Sequence, residues 1–344
     1  MNKYRVLIVD DSPTMRRLIR TLLENDPRLE VVAEAGTASE ARDAVNQHKP
    51  DVMTLDVEMP NMSGIEFLKR LMRHRPMPVV MVSTLTKKGG EIAIEALSSG
   101  AIDCIEKPKL GQKSDAFANL TDTIVMAARA RIQIPTARSN KPAAVRQRDF
   151  RRICLLGGST GAVDALEKIL IRFPKECPPT LVTQHMPKAF LVNFAARLNK
   201  LVSPHVSLAE HGEELKAGHV LIAPGGDFHL NIQAKPVVRA TLHAGPNVSG
   251  HRPSVDSMFK SAVDLAPNIV AGILTGMGRD GAEGMLMLKN AGALTIAQSK
   301  ETCVVFGMPQ VAGQLGGVEH WVDIDELGDE LLRLAEVPRT EICK

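Results

Sequence analysis

Aromatic side chains are scarce in this 344-residue chain: 3% of its residues, with one Trp, one Tyr and nine Phe. Its cores must be aliphatic, and the stacked aromatic platforms that grip single-stranded nucleic acid are not expected. Cysteine is sparse as well. Cys104, Cys154, Cys177, Cys303 and Cys343 are odd in number, and no pair has C-x-x-C spacing, which supports neither a disulfide framework nor a zinc site. Long apolar runs are also missing. Val6–Val9 is too short for a signal peptide and runs into two aspartates, and no uncharged stretch approaches the ~20 residues of a membrane helix. A cytoplasmic protein with no direct membrane insertion is expected. Nor is there a large excess of either charge. The net +3 divides into +1 over residues 1–131, +3 over 132–150 and −1 over 151–344. Neither long segment has the basic face of a DNA-binding domain, so no nucleic-acid partner is expected.

What remains is a globular composition, 44% hydrophobic and 24% charged, long enough for two domains. Short aliphatic runs rich in branched residues occur at Val6–Val9, Val31–Ala35, Val52–Leu55, Val79–Val82 and Ile102–Ile105. Patterns of helical period lie between them, such as Met15, Leu18, Ile19, Leu22 and Leu23, with a last helix over about 116–131. This alternation predicts a (βα)5 domain with a parallel sheet over 1–131. The stretch IPTARSNKPAAVRQRDF, within 132–150, is polar, basic and aperiodic and reads as a linker. From 151 the alternation resumes with strands Ile153–Leu156 and Thr180–Thr183, a helix from Ala162 and another after Pro187. Turn signals and short alternating runs between His205 and Val248 suggest hairpins; Ile269–Leu274 and Leu294–Ala297 flank a helix over Gly281–Asn290. The fold class is α/β throughout, with a doubly wound C-terminal domain (151–344) carrying an inserted antiparallel region.

Two sets of residues carry chemistry. Asp10 and Asp11 end the first strand, Asp56 ends the third, Ser83 the fourth, and Lys107-Pro108 follows the fifth. In a parallel α/β sheet these ends share one edge, where ligands bind. Three converging carboxylates repel one another and call for a hard divalent cation such as Mg²⁺. A hydroxyl and a fixed ammonium beside them suit an anion added to one carboxylate. Asp10 and Asp11 could also cap the first helix, but that would not explain the other three strand ends. Residues 1–131 resemble the receiver domain of two-component response regulators. The resemblance implies Asp56 as phosphoacceptor from a histidine kinase, and Asp10, Asp11 and the Glu58 backbone carbonyl as Mg²⁺ ligands alongside it. It further implies Ser83 and Lys107 as the residues that follow the phosphoryl group. Cys104 departs from the family, standing where many receivers have an aromatic switch residue.

The second set begins at Ile153, in ICLLGGSTGAVDAL, where an apolar run meets two glycines, Ser159 and a helix. Ser159 is either a nucleophile on a strand-to-helix turn or a helix cap. His185 follows the next strand in LVTQHMP, and Asp280 follows a later one in ILTGMGRDGAEG. Asp280 could be no more than a charge at a helix N-terminus. Three such residues at three strand ends favour a nucleophile, a base and an orienting acid. The order Ser159, His185, Asp280 is not that of an α/β-hydrolase, whose histidine comes last; here only His320 follows Asp280. Gly157-Gly158-x-x-Gly161 lacks the spacing of a dinucleotide-binding loop.

GGSTGAVDAL, TQHMP, LIAPGGDFHL, HRPSVDSMF and LTGMGRDGAEGM together resemble the catalytic domain of the chemotaxis protein-glutamate methylesterase/glutamine deamidase family, over about 151–337. The resemblance implies Ser159 as nucleophile, His185 as base and Asp280 as its orienting acid. The Met277 backbone, with Thr160 nearby, would help form the oxyanion hole. No cofactor is expected for the ester chemistry, and Mg²⁺ serves only receiver phosphorylation. It implies methylated chemoreceptors as substrate, a chemotaxis histidine kinase as phosphodonor, and an unphosphorylated receiver that covers the cleft; a monomer is expected. Ala162 departs from the family, which often has a second glycine there. The segment His251–Asp256 belongs to the signature without an assignable role. A response regulator with a non-catalytic second half is the rival reading.

Overall fold

A computed structural model describes residues 3–83, 87–107, 120–132 and 150–336 of the chain. Pro108, nearly all of the expected linker 132–150, residues 116–119 of the expected last receiver helix and the C-terminal RTEICK lie outside the described residues. The chain divides into two compact units, Met1–Ala137 and Arg138–Lys344.

The first unit runs β1 (Tyr4–Val9), α1 (Pro13–Glu24), β2 (Leu29–Ala35), α2 (Ala38–His48), β3 (Val52–Asp56), α3 (Gly64–His74), β4 (Val79–Ser83), α4 (Lys87–Ser98), β5 (Asp103–Glu106) and α5 (Leu120–Arg129). All strands pair in parallel in the order β2-β1-β3-β4-β5. Covered on both faces by helices, β1, β3 and β4 read as unbroken aliphatic runs, and their residues are almost wholly buried. The chain winds outward from β1 to β2, then returns to the other side of β1. The ends of β1 and β3 therefore flank the point where strand order reverses. Ser12, not an aspartate, caps α1, with its hydroxyl accepting from the Met15 N–H.

The second unit holds β6 (Ile153–Gly158), α6 (Ala162–Leu170), β7 (Thr180–Gln184), α7 (Lys188–Leu201), β8 (His205–Leu208), β9 (Glu213–Glu214), β10 (His219–Ile222), β11 (Phe228–Gln233), β12 (Arg239–Ala244), α8 (Val255–Ser261), a 3-10 helix (Val263–Asn268), β13 (Ile269–Ile273), α9 (Ala282–Asn290), β14 (Leu294–Gln298), α10 (Met308–Gln314), β15 (His320–Val322) and α11 (Ile324–Ala335). Seven strands form a parallel sheet in the order β15-β14-β13-β6-β7-β10-β8. Strand order reverses here as well, between β6 and β13. An antiparallel sheet, β11-β12-β9, sits apart from it.

The antiparallel portion is smaller than the turn signals from His205 to Val248 suggest. β8 and β10 lie side by side in parallel and extend the main sheet, and only β9, β11 and β12 pair antiparallel. Turn residues mark where strands stop, not which way the next one runs. Gly212 and Gly218, both at positive φ, bound an excursion that carries β9 to the small sheet and returns to the main one. One aliphatic core, from Leu155 and Leu181 through Phe259, Ile273 and Leu288 to Met308, spans both sheets.

Candidate active site

β13, β6 and β7 are neighbours, and the loops leaving their C-terminal ends carry Asp280, Ser159 and His185. Gly158 pairs with Gln184 across β6 and β7, so Ser159 and His185 are the next residues on adjacent strands, and the His185 N–H donates to the Gly158 carbonyl at 3.1 Å. On the other side the Ser159 N–H donates to the Thr275 carbonyl at 3.1 Å. The Ser159 carbonyl accepts from the Ala162 N–H at 3.0 Å and from buried Gln184 Nε2 at 2.8 Å. Both faces of the turn are thereby fixed. Ser159 is not the helix cap: Gly161 is, at φ +80°, with no side-chain capping bond. An alanine Cβ at Gly161 would also lie 2.6 Å from Val304 Cβ, so this tight turn requires glycine.

Met277 follows Gly276, whose absent Cβ would lie 2.7 Å from Ser159 Cβ, so this peptide runs close beside the serine. Thr160 is buried, and its carbonyl accepts from the Thr275 hydroxyl at 3.0 Å. The Met277 side chain itself is exposed.

Asp280 is fully buried and does not cap α9, whose N-cap is Gly281. Its Oδ1 accepts from Ser254 Oγ at 2.7 Å and from the Asp256 N–H at 3.1 Å. Its Oδ2 accepts from the Val255 N–H at 2.7 Å and lies 2.7 Å from His185 Nε2. Burial pushes this carboxyl up, but the His185 hydrogen bond and charge, joined by Ser254 and Val255, hold it below the ordinary carboxylate range. An ionised Asp280 can only accept, so the proton of this contact sits on His185 Nε2, and in the neutral imidazole the lone pair is the one on Nδ1. Buried Nδ1 has no hydrogen-bond partner among the described residues.

The segment 251–256 supplies most of these contacts, and sequence reasoning gave it no role. Val255 wedges its side chain into the space left by two glycines, Gly157 and Gly281. That seats the three consecutive donors of 254–256 around Asp280. His251 stacks on His185, with ring centroids 3.8 Å apart and planes 7° apart. Burial, with the nearby His185 charge, lowers its pKa to about 4, against the opposing pull of Asp280. The unfolded chain therefore takes up this proton near pH 6.5, whereas the native protein refuses it until about pH 4. Native stability falls through that window as pH drops. Thermal melts from pH 7 to 4.5 should show the wild type losing Tm faster than His251→Phe; parallel slopes would exclude His251 as a source of the loss.

In the first unit, Asp10, Asp11 and Asp56 each place a carboxylate oxygen within 4.8 Å of the others. Asp10 and Asp56 are buried and Asp11 is exposed. Lys107 Nζ lies 2.8 Å from Oδ2 of both Asp10 and Asp56. Burial pushes the Asp56 carboxyl up to about 6, with Asp10 adding to the rise and Lys107 opposing it. Burial alone would lower the Lys107 ammonium, but the two carboxylates hold it above its ordinary range. Buried Ser83 sits opposite Glu106 in the β4–β5 register, and its carbonyl accepts from the Lys107 N–H at 2.8 Å. The Glu58 N–H donates to Asp56 Oδ1 at 3.3 Å, bringing that peptide to the rim. Clustered hard oxygen donors at a strand switch point fit a Mg²⁺ ion. Cys104 lies on β5, half-buried and free.

A five-stranded unit with an acidic pocket, followed by a parallel α/β unit with Ser, His and Asp at its switch point, defines a response regulator with a hydrolase-like output. Residues 6–115 match the response regulator receiver domain and residues 154–331 the CheB methylesterase family. A protein-glutamate methylesterase/protein-glutamine glutaminase of Agrobacterium fabrum is 48% identical over 338 residues, covering 96% of each chain. The chain belongs to the CheB-type protein-glutamate methylesterase/protein-glutamine glutaminase family. A relative of the same description, numbered 1, from Caulobacter vibrioides is 47% identical over 344 residues, which is 98% of this chain and all of that one. The solved CheB methylesterase catalytic domain of Thermotoga maritima matches with TM-score 0.52 at 38% identity, covering 53% of this chain and 98% of its own. Among the described residues no helix is long and apolar enough to cross a membrane.

Proposed function

We propose that residues 151–344 hydrolyse γ-methyl esters of glutamates on the cytoplasmic helices of chemoreceptors, with Ser159 as nucleophile, His185 as base and Asp280 as the orienting acid. The observation that carries this reading is the 2.7 Å bond from His185 Nε2 to buried Asp280, on the loop beside the Ser159 turn. With Nε2 committed to Asp280, Nδ1 takes the Ser159 proton as Oγ attacks the ester carbonyl. The tetrahedral oxyanion forms beside the Met277 peptide and Thr160, which donate to it. His185 then returns the proton to the departing methanol. Water, deprotonated by the same nitrogen, cleaves the acyl-enzyme to leave a glutamate carboxylate and Ser159. A glutamine side chain entering the same path leaves ammonia instead of methanol.

Residues 1–131 act as the regulatory part. Asp56 accepts a phosphoryl group from a chemotaxis histidine kinase, and Asp10, Asp11, Asp56 and the Glu58 carbonyl would hold Mg²⁺. When bound, that ion neutralises the crowded carboxylates and the incoming phosphate. Lys107, already paired with Asp56, supplies a fixed positive partner for the phosphorylated side chain, and the Ser83 hydroxyl follows its oxygens. The output is sensory adaptation.

Methanol release from methylated receptor membranes tests both halves. A small-molecule phosphodonor with Mg²⁺ should raise the rate of the full chain ~5-fold or more, the low end of ordinary coupling between sites. Asp56→Asn should keep the basal rate and lose the increase. A chain that releases no methanol under either condition would instead be a non-catalytic binding module.

A further inference from the structure

The stacked pair His185–His251 lies outside the three-residue scheme above. Two imidazoles 3.8 Å apart and 7° from parallel are in face-to-face contact, with one ring covering the other. His185 has two rotatable side-chain bonds. Among the described residues its ring has one hydrogen bond, from Nε2 to Asp280, and that contact alone fixes neither the plane of the ring nor the direction of Nδ1. A flat surface against one face of the ring removes that freedom. His251 is itself held in place. Its N–H and carbonyl bond the Val248 carbonyl and N–H at 2.9 and 3.0 Å. The next residue, Arg252, ties this segment to the neighbouring loops through the Gly226 and Gly245 carbonyls at 2.8 and 2.7 Å. Ser254, Val255 and Asp256 then lock the same strip onto Asp280. One short segment thus fixes the acid at one end of the base and the plane of the base at its face.

We propose that His251 is a positioning residue for His185: its ring, stacked on the imidazole, sets the plane in which Nδ1 meets Ser159 and offers a π face to the imidazolium formed when the proton is taken. The titratable groups facing His251 are His185, on the loop after β7, and Asp280, on the loop before α9. Uncharged, His251 can lie against a cation without repelling it. An aromatic face suffices for this role, and no nitrogen of His251 is required.

This inference rests on His185 being the base, so the experiment includes His185→Ala beside three replacements of His251 in the full chain. Methanol release from methylated receptor membranes gives kcat and KM, and thermal melts report folding. His251→Ala and His251→Leu should each lower kcat ~10- to 100-fold with KM within about twofold of wild type, as expected when a reacting group is misplaced by a fraction of an ångström. His251→Phe should restore kcat to within ~3-fold, because it keeps the flat face. Should His251→Ala melt below the assay temperature, the Leu and Phe pair, both filling the space, decides the matter alone. Equal rates for Leu and Phe, whether both low or both near wild type, overturn the stacking role while leaving the triad intact. Activity retained by His185→Ala overturns the underlying reading instead.

Discussion

Ser159→Ala should release methanol from methylated receptor membranes at a rate ~10⁴-fold or more below wild type, in line with the loss of a serine nucleophile from other triads. The loss should appear in kcat, since the removed hydroxyl acts only as the ester carbonyl is attacked. Folding should survive. The turn is held through Ser159's backbone, by the Thr275 carbonyl, the Ala162 N–H and Gln184 Nε2, and every one of these bonds is available to alanine. α6 takes its cap from Gly161, so no capping hydroxyl is removed. A melting temperature near the wild type's with methanol release abolished would separate chemistry from stability. Wild-type turnover by this variant would remove Ser159 from the reaction.

The receiver unit was legible strand by strand. Its inner strands β1, β3 and β4 are buried on both faces and read as aliphatic runs, and its functional residues stand at strand ends, where a sequence pattern is sharpest. Ser159 and His185 were visible for the same reason, each following a strand directly, and Asp280 because it closes the glycine-rich turn between β13 and α9. His251, Ser254 and Gln184 were not. Gln184 is the last residue of a buried strand and reads as a mere terminator, although its amide holds the nucleophile's carbonyl. His251 and Ser254 lie in a loop before α8, more than twenty residues from Asp280. Their approach depends on Val255 filling the gaps at Gly157 and Gly281, a fit of shapes that no spacing rule records. Ser254 carries a partial signal, as a serine opening a helix, and it is the α8 cap, bonding the Ser257 N–H at 3.2 Å. The same hydroxyl donates to Asp280, so the capping signal was real and its second use hidden. Parallel pairing of β8 with β10 escaped for a related reason, since strand direction is decided by the β9 excursion between them.

Asp280→Asn should be the most damaging isosteric change in the second unit, because it fails in both orientations of the amide. Asp280 accepts four hydrogen bonds: Ser254 Oγ and the Asp256 N–H at Oδ1, the Val255 N–H and His185 Nε2 at Oδ2. If the amide nitrogen takes the Oδ2 place, it faces both His185 and the Val255 N–H donor to donor. His185 can relieve that contact only by moving its proton to Nδ1, the atom that must be unprotonated to accept from Ser159. If it takes the Oδ1 place, the Ser254 hydroxyl can turn to accept but the Asp256 N–H cannot, and His185 loses the negative charge that steadies its cation. The first arrangement produces the wrong tautomer, which in a Ser-His-Asp enzyme lowers kcat ~10⁴-fold. The second leaves a buried donor unpaired at a cost of about 1–3 kcal/mol. Both lower stability at neutral pH, and the difference has a pH signature. Because the native carboxyl is held below its ordinary 3.8, its contribution is fully present above that value and disappears as pH falls through the lower native one. Melting curves of wild type and Asp280→Asn should therefore stand apart at pH 7 and draw together only as pH falls below 3.8, with kcat at pH 7 reduced at least a thousandfold by the same wrong-tautomer reasoning (~10³). A variant with kcat within tenfold (~10) of wild type would show that His185 does not depend on Asp280 for its tautomer, and the orienting role would pass to another group.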